Sequence, residues 1–196
     1  MATPVPIGDA LASLLRGGET TSERFFDEYW ERTALHVARE SPAAFDDMLT
    51  LEDLDELLCR VQLPDADAEL IVFKDLRQHP VPGVYATPHV AYASGASLVV
   101  NHTDRIWPPV NEFCQRLGER FSHAYANLYL TPKESQTAPP HTDGAAICVS
   151  HVAHTACRPQ PYAHILLFAQ TGTSSCFSCT AKRHGTCGAP KGAARR

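Results

Sequence analysis

Residues 127–143 limit what this chain can fold into more than any other stretch. They read as a strand beginning at Asn127, a polar loop and a Pro-Pro stop, followed by His141-Thr-Asp143 at the start of a second extended segment. His and Asp two positions apart on a strand share one face, so both can bind one ion. Imidazole and carboxylate are two of the three protein ligands in the facial triad of non-haem Fe(II) sites. The pattern therefore predicts half-buried strands and a metal site at this point.

The acidic residues are confined to one part of the chain. Residues 1–143 hold all 22 acidic residues and 11 Lys/Arg, whereas residues 144–196 hold no acidic residue, six Lys/Arg and five of the seven cysteines. The odd cysteine number without a regular framework argues against a disulfide scaffold, and we expect a reducing intracellular compartment. No apolar run approaches membrane-spanning length, and the sparse basic residues predict no nucleic-acid site. The composition therefore changes at Asp143/Gly144.

Helical patterns dominate the first part of the chain, and strand patterns follow. Thr20 as N-cap with Glu23 predicts the start of an amphipathic helix, and Thr50 predicts the cap of a second helix. Pro108-Pro109 predicts the start of a third helix. Strands are predicted at 69–73, 97–100 and 125–130, residues 77–96 are predicted as loop, and residues 162–168 fit either a buried strand or a helix turn. This order predicts an α+β fold with a helical N-terminal segment packed on β-structure.

Four segments of the chain resemble the JmjC-domain ribosomal oxygenases, the group of bifunctional lysine-specific demethylases and histidyl-hydroxylases. They are FFDEYWER at 25–32, LEDLDELL at 51–58, GASLVVN at 95–101 with WPP at 107–109, and NLYLTP at 127–132 continuing through His141-Thr-Asp143. Their order and spacing cover most of residues 22–143. This is a more specific signal than His-x-Asp alone.

The resemblance implies an incomplete double-stranded β-helix, a cupin-like jelly roll that uses Fe(II) and 2-oxoglutarate. It implies that His141 and Asp143 are iron ligands and that Asn127 and Tyr129 line the 2-oxoglutarate and substrate pocket. It also implies a protein substrate, either a ribosomal-protein histidine or methyl-lysine on histone H3, and a nuclear or nucleolar location. The corresponding domain division is a flexible N-terminus at 1–20, the N-terminal part of the oxygenase domain at 21–143, and an atypical, poorly ordered tail at 144–196.

The chain departs from the family pattern after Asp143. The family continues with an acidic residue, an alternating apolar strand and a Lys that pairs with 2-oxoglutarate, but the counted Lys position here is Ala156. The third ligand, a His at the far end of the jelly roll, is not expected within residues 144–196. We interpret this tail as a frame-shifted or alternatively spliced segment, which sequencing the transcript across codons 140–150 would test. The alternative function is a non-catalytic, cupin-like fragment that acts as a binding module.

Other candidate ligands have simpler explanations. Cys176, Cys179, His184 and Cys187 resemble a short zinc knuckle, but chance spacing in a Cys-rich segment explains them as well. A substitute third iron ligand could come from the tail histidines, but none is on a recognisable jelly-roll strand: His151, His154, His164 and His184. A second His-x-Asp, His102-Thr-Asp104, is predicted to be a loop and helix-start feature, with Asp104 as a cap.

Overall fold

The computed structural model describes residues 9–38, 45–50, 52–79, 83, 85–133, 135, 146–153 and 162–170. Their helices are α1 (Ala10–Leu15), α2 (Ser22–Arg24), α3 (Asp53–Arg60), α4 (Pro88–Ala93), α5 (Thr103–Ile106) and α6 (Pro108–Gly118), and a π-helical stretch, Phe25–Tyr29, continues α2. Their strands are β1 (Glu69–Lys74), β2 (Arg77–His79), β3 (Ser97–Asn101), β4 (His123–Thr131), β5 (Ala146–Ala153) and β6 (Tyr162–Gln170). The predicted α+β class is confirmed.

The strands form one antiparallel sheet in the order β2-β1-β3-β4-β6-β5. Side chains alternate between the two faces of a strand. On one face, Val72, Leu98, Leu128 and Leu167 pack with buried side chains of α1, α3 and α6 in the hydrophobic core. We call the opposite side of the sheet the second face, and it carries the register row Ile71–Val99–Tyr129.

The N-terminal helix α1 packs against the protein, although residues 1–20 were predicted to be a flexible N-terminus. The Asp9 carboxylate accepts hydrogen bonds from the backbone N–H groups of Leu11 and Ala12, at 3.0 and 3.3 Å. Its second oxygen lies 2.6 Å from Arg120 Nη2, just beyond α6. Leu11, Leu14 and Leu15 are buried in the core. Burial of these side chains, together with the cap and the ion pair, holds this helix in place.

The cap of α2 lies one residue later than predicted. Thr21, not Thr20, occupies the N-cap position, and its Oγ1 accepts the Arg24 backbone N–H at 3.2 Å. Two adjacent threonines offered the same hydroxyl, and the helix register selects the one whose oxygen reaches the third residue of the helix. For α3, Thr50 was predicted as the cap, but Glu52 occupies the N-cap position. Thr50, two residues earlier, exchanges hydrogen bonds with Asp53 as in a capping box.

Two elements lie in the region predicted as loop, namely β2 and α4. The Thr87 hydroxyl accepts the Val90 N–H at the start of α4, and Pro88 occupies the first turn. Backbone N–H groups in the first turn of a helix have no partner within the helix, so the N–H that Pro lacks is not missed there. This Thr-Pro pair therefore marks a helix start rather than a loop.

Two segments of the predicted tail are strands of the sheet. Strand β6 pairs with β4 over the whole length of both strands, and β5 pairs with β6. This pairing decides between the strand and the helix turn that residues 162–168 allowed. The remainder of 144–196 lies outside the described residues, and the domain boundary at 143/144 stays a prediction.

Candidate functional site

The four predicted site residues divide between described and undescribed parts of the chain. Asn127 and Tyr129 lie on β4, two positions apart and therefore on the same face. Ala126, Leu128 and Leu130, which alternate with them, belong to the helix-side core. Asn127 and Tyr129 are thus on the second face. The predicted iron ligands, His141 and Asp143, lie outside the described residues.

Asn127 is buried, and its amide oxygen has a defined partner. Asn127 is only 8% exposed. Its side-chain Oδ1 accepts a hydrogen bond from the His102 backbone N–H at 3.0 Å. An amide whose oxygen accepts a bond keeps its NH₂ group as a donor. Asn127 is therefore oriented by the chain at His102, and its donor group suits an acceptor such as a carboxylate.

Tyr129 is half-buried and central in the sheet. Its register partners are Val99 on β3 and His164 on β6. Val99 is 2% exposed, although it is not part of the helix-side core. Val99, the neighbour of Tyr129 on the second face, is therefore shielded from water.

The second His-x-Asp motif has a structural role. His102 has φ 57°, in the left-handed region, where the chain turns from β3 into α5. The Asp104 carboxylate accepts the Ala126 backbone N–H of β4 at 2.9 Å, so it holds a strand. The predicted helix start is confirmed, but the predicted cap is wrong, because this carboxylate bonds to β4 rather than to its own helix.

Thr103 completes this attachment of α5 to β4. Its hydroxyl donates to the Val100 carbonyl at 2.9 Å and accepts the Leu128 N–H at 3.2 Å. Val100 and Leu128 are register partners, so the hydroxyl bridges a β3–β4 pair at the end of their ladder. We call the contacts of Thr103 and Asp104 with β4 the β4 clasp. The clasp and the Asn127–His102 bond together fix the part of β4 that carries the predicted pocket residues.

Sequence reasoning missed this clasp because its partners are distant in the chain. Nothing in the local sequence around Thr103 indicates that its hydroxyl will bond to Leu128, 25 positions later. His102 also packs against Tyr125, with ring centroids 5.2 Å apart, and its Nδ1 is buried without a hydrogen-bond partner among the described residues. The Tyr125 ring, two positions before Asn127 on β4, therefore packs against the residue whose backbone binds Asn127.

Burial and charge also affect a thiol behind the clasp. Burial, together with the negative charge of Asp104, raises the pKa of Cys114, on α6, to about 12. The thiol is thus neutral and unreactive at ordinary pH, because the thiolate is the nucleophile. Cys114 is therefore a core residue.

Within the part of the chain that the structure describes, no three His, Cys, Asp or Glu residues cluster as a metal site. A search of the same residues finds no helix with the length and apolar character needed to cross a membrane.

No protein-family model matches the chain. Curated proteins do match it. The bifunctional lysine-specific demethylase and histidyl-hydroxylase NO66 of Drosophila mojavensis is 34% identical over 131 residues, which is 63% of this chain and 14% of that protein. Part of this chain is thus similar to part of the NO66 proteins. Those of Drosophila melanogaster and Drosophila willistoni are 32% and 29% identical over 61% of this chain, and the matches cover 19% and 16% of their own lengths.

These matches confirm the resemblance that the four sequence segments predicted. The chain spans less than a fifth of the length of these relatives. The names of the relatives describe a demethylase and hydroxylase, and they apply to those longer proteins.

Proposed function

We propose that this chain is part of a JmjC-type oxygenase that depends on Fe(II) and 2-oxoglutarate. The observation that carries the proposal is the pair Asn127 and Tyr129, which share the second face of an antiparallel sheet in a chain related to the NO66 proteins. In this proposal the sheet is one half of a cupin-like jelly roll, and the second face is the inner wall of its pocket.

The donor set of the second face fits the proposed cofactors. Asn127 presents an amide NH₂, a suitable donor to a carboxylate such as that of 2-oxoglutarate. His141 and Asp143 would hold the iron, since imidazole and carboxylate are two-thirds of a facial triad. Bound iron supplies the oxygen chemistry. Asn127 and Tyr129 would line the pocket and orient 2-oxoglutarate there, next to the buried Val99.

The proposed substrate is a protein side chain, either a histidine of a ribosomal protein or methyl-lysine of histone H3. Hydroxylation of an N-methyl group gives a hemiaminal that releases formaldehyde, so one chemistry serves both substrates. A nuclear or nucleolar location is part of the same proposal. The support for the substrate and the location comes from the names of the NO66 relatives alone.

Turnover of 2-oxoglutarate to succinate, measured by mass spectrometry with histidine and methyl-lysine peptides, tests this function. We expect His141→Ala to abolish iron-dependent turnover and Asn127→Ala to weaken the use of 2-oxoglutarate. His102→Ala is the matched control, because the hydrogen bond to Asn127 comes from the His102 backbone N–H, which alanine keeps, and the variant should stay nearly as active as the original chain. Equal loss from His141→Ala and His102→Ala would show that the iron-binding motif was wrongly assigned.

A folded chain without turnover would favour the alternative, a non-catalytic binding module. The observation behind that alternative is Ala156 at the counted position of the 2-oxoglutarate-pairing lysine.

A further inference from the structure

The two edges of the sheet differ in how well they are protected from pairing with another chain. Within the described residues, β2 and β5 are the outermost strands, and each pairs with one neighbour only. Strand β2 has three residues and begins with Arg77, and both short length and charge protect an edge strand. Strand β5 has eight residues, none of them charged and none of them proline. The edge at β5 therefore lacks this protection.

The hydrogen bonds of β4 determine which backbone groups of β5 point away from the sheet. The Leu128 N–H binds the Thr103 hydroxyl, so Leu128 and its partner on β6 do not exchange backbone hydrogen bonds. Opposed pairs of an antiparallel ladder alternate between bonded and non-bonded, so Asn127 and Leu166 are a bonded pair. Leu166 thus directs its N–H and C=O to β4, and not to its other partner, Val149 on β5. The N–H and C=O of Val149 therefore point away from the sheet.

The same alternation applies along the rest of β5. Ile147 and His151, two positions before and after Val149, also direct their backbone groups away from β6. We call the backbone N–H and C=O groups of these residues the outer edge. The pairing of β5 shifts between His151 and Ala153, and a bulge of this kind disrupts regular pairing. The outer edge therefore ends at His151.

The outer edge is complementary to itself. Two antiparallel copies of β5 can be placed with Val149 opposite Val149 of the second copy, and Ile147 then lies opposite His151. Each opposed pair exchanges two backbone hydrogen bonds, about six in total. A two-fold axis relates the copies, so the contact closes a dimer. The edges that remain in the described part of the dimer are the short β2 strands.

We propose that two copies of this chain associate through β5, as one continuous antiparallel sheet centred on Val149. A second copy fits this edge because the two-fold arrangement gives every group of the outer edge a partner. An uncharged strand also provides no electrostatic preference for a basic or an acidic partner protein. The contact uses backbone groups of β5 alone and is independent of the proposed oxygenase function.

Sedimentation equilibrium of the full chain tests the dimer, in a reducing buffer that prevents its seven cysteines from linking copies. We expect the mass to rise from 21.4 kDa toward twice that value as the protein concentration increases. Each copy carries a net charge of −5, so the copies repel each other. Higher ionic strength should therefore favour the dimer, because salt screens this repulsion.

Charge substitutions at the two-fold position distinguish this contact from any other. Val149→Lys and Val149→Glu each place like charges directly opposite each other, which should raise the dissociation constant of the dimer by about fivefold or more. An equimolar mixture of the two variants should form a heterodimer, because opposite charges then face each other. Gln78→Lys, at an exposed position of the β2 edge, is the matched control and should dimerise like the original chain.

Amide hydrogen exchange of the original chain, followed by NMR, tests the same contact without a substitution. The N–H groups of Ile147 and Val149 should exchange more slowly at high protein concentration than at low concentration. The N–H of Cys148 points to β6 and should change much less. This measurement decides the question if either Val149 variant fails to fold, as judged by circular dichroism.

A concentration-dependent dimer that is weakened in both variants and recovered in their mixture supports the contact. A chain that stays monomeric overturns it, as does growth beyond the dimer. A dimer that persists in both variants, or a mixture that does not associate, also overturns it. Equal changes in the exchange of Cys148 and Val149 would contradict the proposed direction of their backbone groups and overturn the contact as well.

Discussion

The β4 clasp makes a quantitative prediction for Thr103→Val. Thr103 is completely buried, and its hydroxyl makes one bond to Val100 and one to Leu128. Valine has nearly the same shape, so it opens no cavity but leaves a buried carbonyl and a buried N–H without this partner. Each buried polar group that loses its partner costs about 1–3 kcal/mol. We therefore expect a loss of about 2–6 kcal/mol in the free energy of unfolding, a large fraction of the total for a domain.

Urea unfolding, followed by circular dichroism and tryptophan fluorescence, measures this loss. Thr103→Ser is the matched control, since it keeps the hydroxyl and removes only one methyl group, which costs about 1 kcal/mol. A valine variant within about 0.5 kcal/mol of the original chain would refute the clasp, since surface substitutions span that range. A serine variant less stable than the valine variant would refute it as well.

Three further predictions concern the core and the helix ends. The pKa of Cys114 is raised to about 12 from an ordinary 9.0, so the neutral thiol contributes fully to the free energy of unfolding below pH 9, and this contribution is lost as pH rises toward 12. Between pH 9 and 11, Cys114→Ala should therefore reduce the fall of stability with pH by about 1.4 kcal/mol per pH unit, measured by urea unfolding. Equal slopes for the variant and the original chain would contradict this. Trp107→Phe removes the Nε1–H bond to the Met48 carbonyl and should cost about 1–3 kcal/mol in urea unfolding; an unchanged midpoint would contradict the contact. Thr21→Ala should lower the free energy of unfolding by about 0.5–2 kcal/mol in thermal melts, whereas Thr20→Ala should not. The opposite result would show that Thr20 is the N-cap.

Local patterns predicted the elements that have strong local causes. The Pro108-Pro109 start was sufficient to predict α6, and β1, β3 and β4 lie where strands were predicted. The start of α4 at Thr87-Pro88 had a local cause too, but the surrounding Pro- and Gly-rich sequence obscured it. One hydroxyl next to another, at Thr20 and Thr21, could not be separated without the helix register.

Long-range partners set the limit of what could be predicted. Neither the Thr103 bonds to β4 nor the pairing of β6 with β4 has a local signature, because each depends on residues more than twenty positions away. The candidate site shows the same division. Asn127 and Tyr129 were placed on one face by strand period alone. The hydrogen bond that orients Asn127 toward His102 required the fold.

Anaerobic titration of the folded chain with Fe(II), with and without 2-oxoglutarate, tests the central proposal most directly. The account predicts a weak visible charge-transfer absorption that requires both additions, is lost in His141→Ala and persists in His102→Ala. Absence of this absorption in the folded original chain, or its persistence in His141→Ala, would contradict the account.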